Sequence, residues 1–236
     1  VGGVAVDAAG NVYVADTNNY LIRKITSAGV VTTISGVHGM RGSADGGIGV
    51  ALFNGPNAVA VDKTGNLYVA DTSNDTIRKI TPANVVSTLA GRAGSGSVDG
   101  TASVAQFSLP TALAVDGAGN LYVADTNNDT IRKISSTGEV STFAGTAGAP
   151  VSSSDGTGSA ARFNAPQGAA VDTSGNVYIA DTGNNTIRKI SPAGAVTTFA
   201  GSPLLQGSVD GTGGTARFNS PIGVAVDTLN NMSIDD

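Results

Sequence analysis

Gly168-Ala-Ala-Val-Asp-Thr-Ser-Gly-Asn-Val-Tyr-Ile-Ala-Asp-Thr-Gly-Asn-Asn-Thr-Ile-Arg-Lys-Ile190 decides the fold, because each of its parts recurs along the chain at one spacing. Gly168 to Asp172 is a short, small-residue strand. Thr173 to Asn176 is a turn in which Gly175 supplies a positive φ. Val177 to Ala180 is a second strand, β-branched and aromatic, and Asp181 to Asn184 turns the chain again. Thr186 to Ser191 is a third strand, Pro192 to Gly194 a third turn, and Ala195 to Phe199 a fourth strand. Working outward, Val-Ala-Val-Asp or a close variant ends at Asp7, Asp62, Asp116, Asp172 and Asp227, with separations of 55, 54, 56 and 55. A second aspartate follows nine residues later at Asp16, Asp71, Asp125, Asp181 and Asp236. An Arg-Lys pair begins at Arg23, Arg78, Arg132 and Arg188. The turn glycine recurs at Gly10, Gly65 and Gly119, and Asn230 replaces it in the last unit.

A four-stranded antiparallel module cannot cover both of its faces alone, so copies of it must stack. Four short strands repeated at this period predict an all-β fold of propeller blades. The small residues Ala5, Ala60, Ala114, Ala170 and Ala225 suit the innermost strand, nearest the axis. The repeats run over about 1–55, 56–109, 110–165 and 166–220, with a partial unit at 221–236, and together form one domain or a segment of one. Residues 168–190 closely resemble the NHL repeat, and the resemblance extends along essentially the whole chain. It is nearest to bacterial, often extracellular, NHL-repeat proteins. NHL propellers are typically six-bladed, which at this repeat length needs about 330 residues. The expectation is therefore a segment of a larger ring with an open or partner-completed edge.

Composition narrows the function. The chain has 236 residues, 40% hydrophobic and 13% charged, with 33 glycines, which is globular and rich in turns. No apolar run is long enough to span a bilayer, so membrane insertion is not expected. Absence of cysteine removes disulfides and thiolate-bound metals. The net charge is −5, and the four Arg-Lys pairs take eight of the 13 basic residues into strands, leaving no basic face for nucleic acid.

The interblade connection is the one long loop, and it carries its own motif. It reads Gly42-Ser-Ala-Asp45-Gly, Gly96-Ser-Val-Asp99-Gly, Ser153-Ser-Asp155-Gly and Gly207-Ser-Val-Asp210-Gly. A phenylalanine and a proline follow each time, at Phe53/Pro56, Phe107/Pro110, Phe163/Pro166 and Phe218/Pro221. Asp45, Asp99, Asp155 and Asp210, with His38 and Arg92, are the candidate ligand contacts. Equally, each Asp-Gly forms a turn while each Phe plugs the gap between blades. Calcium would suit such oxygens if six or more converged, which single aspartates on separate blades do not ensure. The flanking stretches Val37–Arg41, Arg92-Ala93 and Ser202–Gln206 vary freely. Arg23, Arg78, Arg132 and Arg188 need carboxylate partners in the blade interior, and Asp16, Asp71, Asp125 and Asp181 are the candidates.

The NHL resemblance also implies an alternative, a divalent-metal-dependent lactonase- or lyase-like propeller enzyme. The lyases of that superfamily use histidine-ligated zinc, whereas His38 is the sole histidine here. A lactonase-like site needs a Glu/Asp/Asn cluster at the axis, and Glu139, the sole glutamate, falls in a third-to-fourth turn. No residue is assigned a catalytic or metal-ligating role, and no cofactor is expected. The reading is a propeller scaffold, secreted, periplasmic or on the cell surface, that binds a protein or glycan through its loops.

Overall fold

The computed structural model describes every residue except Ala93 and Leu204, which fall in two of the variable loop stretches. Two compact units make up the chain, Val1–Val115 and Asp116–Asp236.

In the first unit, β1 (Val4–Val6), β2 (Val12–Asp16), β3 (Leu21–Ile25) and β4 (Val31–Gly36) form one antiparallel meander. A second comprises β5 (Pro56–Val61), β6 (Leu67–Asp71), β7 (Thr76–Ile80) and β8 (Val86–Ala90). Strand β9 (Pro110–Val115) packs on β5 and β6, and β5 packs on β1 and β2. The second unit holds β10 (Leu121–Asp125), β11 (Thr130–Ile134) and β12 (Val140–Gly145), paired in that order. It continues with β13 (Gly156–Thr157), β14 (Pro166–Val171), β15 (Val177–Asp181), β16 (Thr186–Ile190) and β17 (Ala195–Gly201). That sheet has the order β13-β17-β16-β15-β14. Strands β18 (Gly223–Val226) and β19 (Met232–Asp235) close the chain as a hairpin, and β14 packs between β10 and β18. The expected modules therefore form, with the first strand reaching back to its proline and the fourth extending two residues beyond Phe199.

Local chemistry explains each corner. In the first turn of a module, Gly65 has φ 83° and Asn230 φ 65°, so glycine and asparagine do occupy the positive-φ position. The preceding aspartate closes that turn. Asp62 accepts from the Thr64 and Asn66 amides at 2.8 and 2.9 Å, from the Asn66 side chain at 2.8 Å and from Tyr68 at 3.0 Å. The second corner is a 3-10 turn, Thr72–Asn74, ending in left-handed Asp75 at φ 56°. Asp129 and Asn185 repeat that conformation.

Stacking is secured by side-chain hydroxyls on backbone carbonyls. The Thr72 hydroxyl donates to the Pro110 carbonyl at 2.7 Å. In the second unit Thr126 donates to Pro166 and Thr182 to Pro221, each at 2.7 Å. Proline opens these strands because its missing N–H faces no ladder partner. Ala60, Ala114 and Ala170 are buried on the first strands of their modules, where their size allows close approach.

Each module has a bulge between its third and fourth strands. Ile77 pairs with Ala90 but Arg78 with Thr88, so Leu89 is the extra residue. The same shift precedes Arg23, Arg132 and Arg188. The repeated arginine thus always stands beside a break in the ladder, where a bulge re-aims side chains.

Candidate functional site

The long loop between modules is held by this arginine. Arg78 and Asp71 are both fully buried and meet at 2.9 Å. Arg78 also donates to the carbonyls of Leu52 at 2.9 Å and Ala44 at 3.0 Å, and to Asp45 at 2.6 Å. Its guanidinium stands 5.2 Å from the Phe53 ring centroid, in cation–π range. Asp71 further accepts from the Asn54 amide and the Asn74 side chain, and Asn74 donates to the Gly42 carbonyl at 2.8 Å. Residues 42 to 54 are therefore tied down at both ends from one buried charge pair. The second unit repeats this at Arg188, which reaches Asp181 at 2.9 Å, Arg162 O at 2.9 Å, Ser154 O at 3.0 Å and Asp155 at 2.8 Å. Arg132 pairs with Asp125 at 2.9 Å, and Arg23 with Asp16 at 3.4 Å.

The loop also joins a sheet. Gly46 exchanges backbone hydrogen bonds with Val86 on β8, and Gly156 pairs with Val196 on β17. The Asp-Gly segment thus adds itself to the outer strand of the module that follows, covering an edge that would otherwise present free N–H and C=O groups. Positive φ at Gly46 (141°) and Gly156 (155°) lets the chain make that approach.

Electrostatics follow from position. Burial pushes Asp71 above the ordinary carboxylate range and Asp181 up to about 6, against the hydrogen bonds each receives. Asp45 is half-exposed; burial pushes it up, but hydrogen bonds from Arg78 and Thr88 outweigh that and leave it lowered. In the first turn, burial raises Asp62, yet the bonds from Asn66 and Thr64 bring it down to about 2.

Of the candidate contacts, Asp45 and Asp155 sit on the arginine latches. Asp99 and Asp210 are exposed, and Asp210 forms no ion pair with the described residues. His38 is exposed at a tight turn closed by the Met40 amide on the Val37 carbonyl. Arg92 is exposed, and its amide donates to the Ala105 carbonyl. Glu139 lies exposed in the turn between β11 and β12. Among the described residues no three His, Cys, Asp or Glu side chains come together. A cleft of about 350 Å³ opens above the second corner of the β5–β8 module, lined by Ser43, Ser73, Asp75, Thr76, Thr88 and Gly94 among others. Asn54, Asn74, Asp75 and Thr88 escaped the reading of the sequence, although Asn74, Asn128 and Asn184 recur in register.

Residues 49–206 match the family described as SMP-30/Gluconolactonase/LRE-like region, and residues 2–25 match the NHL repeat. Human teneurin-4 is 31% identical over 219 residues, covering 80% of this chain and 8% of that protein. The chain thus spans less than a tenth of that relative's length. An auxiliary nutrient binding protein from Bacteroides ovatus is 18% identical with a TM-score of 0.72, over all of this chain and 59% of the other. Virginiamycin B lyase from Staphylococcus aureus is 13% identical with a TM-score of 0.65, over 99% of this chain and 62% of the other. At such identities these likenesses establish the β-propeller fold.

Proposed function

We propose that this chain, which belongs to the SMP-30/Gluconolactonase/LRE-like family, is a non-catalytic scaffold binding a protein partner through its interblade loops. One observation carries this reading. The loops are pinned from below by Arg78 and Arg188, yet they present apolar side chains to solvent. Ile48 and Val50, in the loop held by Arg78, are 61% and 60% exposed. Val98 and Val104 are 46% and 49% exposed in the next loop, which is closed by its own backbone bonds from Gly96 to Phe107 and from Gln106 to Val98. Exposed apolar side chains on an ordered backbone are the features of an interaction surface. A backbone fixed in advance also loses little entropy on association.

A protein suits these loops better than a glycan. Sugar faces are gripped by aromatic rings, and the loop phenylalanines Phe53, Phe107 and Phe163 are buried beneath the loops. The chain has no tryptophan, and its tyrosines lie on strands except Tyr20, at a corner. No helix among the described residues is long and apolar enough to cross a membrane. The encounter is proposed to occur outside the cytoplasm, in a secreted, periplasmic or surface setting. The alternative, a divalent-metal-dependent lactonase- or lyase-like enzyme, rests on the family match alone.

Photo-crosslinking from positions 48 and 104, with position 137 in a β11–β12 turn as control, tests the reading. The expected result is one common protein adduct from both loop positions and none from the control. Ile48→Ser and Val104→Ser should abolish it while leaving the melting temperature unchanged. Equal labelling from all three positions, or divalent-dependent hydrolysis of a lactone by the purified chain, overturns it.

A further inference from the structure

Each long loop reaches the proline of the next module through a pair of residues: Asn54-Gly55, Ser108-Leu109, Asn164-Ala165 and Asn219-Ser220. In three of these pairs the second residue is left-handed and its amide is already spent. Leu109 donates to Asp75 at 2.8 Å, Ala165 to Asp129 at 2.7 Å and Ser220 to Asn185 at 2.8 Å. Gly55 takes the same conformation, at φ 63°, but its matching corner residue is Tyr20, which carries no carboxylate or amide oxygen. Among the described residues the Gly55 amide has no hydrogen-bond partner. Asn54-Gly55 is also the one Asn-Gly pair in the sequence.

A backbone amide that follows asparagine can attack the side-chain carbonyl when no Cβ obstructs it and no acceptor holds its hydrogen. Gly55 meets both conditions, and Asn54 and Gly55 are each partly open to water. The Gly55 nitrogen gives up its proton and bonds to the Asn54 side-chain carbonyl carbon. The bond from that carbon to Nδ2 breaks, and ammonia leaves with a proton returned from solvent. Water then opens the five-membered imide at either carbonyl, leaving aspartate or isoaspartate. Asp45-Gly46, in the same loop, is closed to the corresponding reaction. Its carboxylate is held ionised by Arg78 and Thr88, and the Gly46 amide donates to Val86.

Asn54 fastens the end of its loop to the corner below. Its amide donates to Asp71 at 2.7 Å, its carbonyl accepts from the Ser73 amide at 3.0 Å, and its side chain donates to the Ser73 carbonyl at 3.3 Å. A carboxylate has no hydrogen to give Ser73, and isoaspartate reroutes the backbone through an extra carbon at this point. We propose that Asn54-Gly55 is a site of spontaneous deamidation in the folded chain, and that the product loosens residues 42–54 from the corner beneath them. The claim stands apart from the loops' own partner, because the reaction consumes only water.

The test ages the purified intact chain under native conditions in mildly alkaline buffer, beside a synthetic peptide of residues 50–58. Peptide mass spectrometry follows conversion of amide to acid. Conversion is expected at Asn54, at least about tenfold faster than at Asn164 or Asn219. Tyr20→Asp, which supplies the corner carboxylate found at Asp75 and Asp129, should slow it at least about fivefold, whereas Tyr20→Phe leaves the rate unchanged. The comparison with Asn164 and Asn219 stands even if a change at position 20 perturbs folding. After separation by charge, the aged form should exchange its Ser73 amide faster than the parent. Asn54 still intact once the free peptide has converted, an equal rate at Asn164, or a Tyr20→Asp chain as fast as the parent overturns the site. Unchanged exchange at Ser73 overturns its consequence.

Discussion

Arg78 donates to Asp71 across 2.9 Å with both side chains withdrawn from solvent, and the same guanidinium holds the loop aspartate Asp45 at 2.6 Å. A charge taken out of water is tolerable only while it is matched, so the two ends of the contact are not independent. Arg78→Met should leave Asp71 buried and unmatched, costing about 3–5 kcal/mol. Replacing both, as Arg78→Met with Asp71→Leu, should cost less than the single change. A double-mutant cycle on denaturant midpoints measures this; additive effects would contradict it.

Asp45 acts differently because it is half-exposed. Its Oδ2 accepts from the Thr88 amide at 3.1 Å, and its loop pairs with Val86. Asp45→Asn should cost roughly 1 kcal/mol, the scale of one net hydrogen bond. The signature is local. Amide exchange at Thr88 and Gly46 should quicken, while amides of β6 keep their protection.

The pH dependence has two limbs of opposite sign. Asp181, raised to about 6, holds its proton more tightly in the folded chain, so its contribution is greatest in acid and declines as pH rises through that value. Asp62, lowered to about 2, contributes above the ordinary carboxylate pKa and loses this as pH falls toward 2. Stability should therefore rise modestly from about pH 7 to about pH 5 and fall below about pH 4. In Asp181→Asn the rise should shrink; in Asp62→Asn the acid fall should shrink. Thermal melts across pH check both.

The corner residue and the residue before the next module's proline form a compensating pair. Leu109 is held at φ 48° while its amide donates to Asp75 at 2.8 Å. Asp129 does this for Ala165 at φ 46°, and Asn185 for Ser220 at φ 59°. Where the corner residue is Tyr20, the matching position is Gly55, at φ 63°, which adopts that conformation without help. Asp75→Ala should destabilise by about 1–2 kcal/mol, because the left-handed leucine loses its anchor. Adding Leu109→Gly should recover most of the loss. No recovery in the melting temperature would show the anchor to be unimportant.

The modules were legible in the sequence because their turns need particular residues at fixed intervals. Gly65, Gly175 and Asn230 announced positive φ before any coordinates. The buried Arg–Asp pair was legible for a related reason: two opposite charges seven residues apart recur in every module. The route of the long loop was not. Asp-Gly reads as a turn from either side, and nothing local to Asp45 shows that it meets an arginine 33 residues later. Nor does Gly46 disclose that it will extend a sheet, since that contact uses backbone alone. The Asp75–Leu109 link escaped because leucine in a left-handed conformation contradicts its own propensity and depends on a side chain 34 residues away.

The Thr72, Thr126 and Thr182 hydroxyls each reach a proline carbonyl in the module that follows. Such a fastening asks for a peptide group and is indifferent to which copy offers it. These fastenings therefore survive any change in the side chains of the neighbour that supplies the carbonyl.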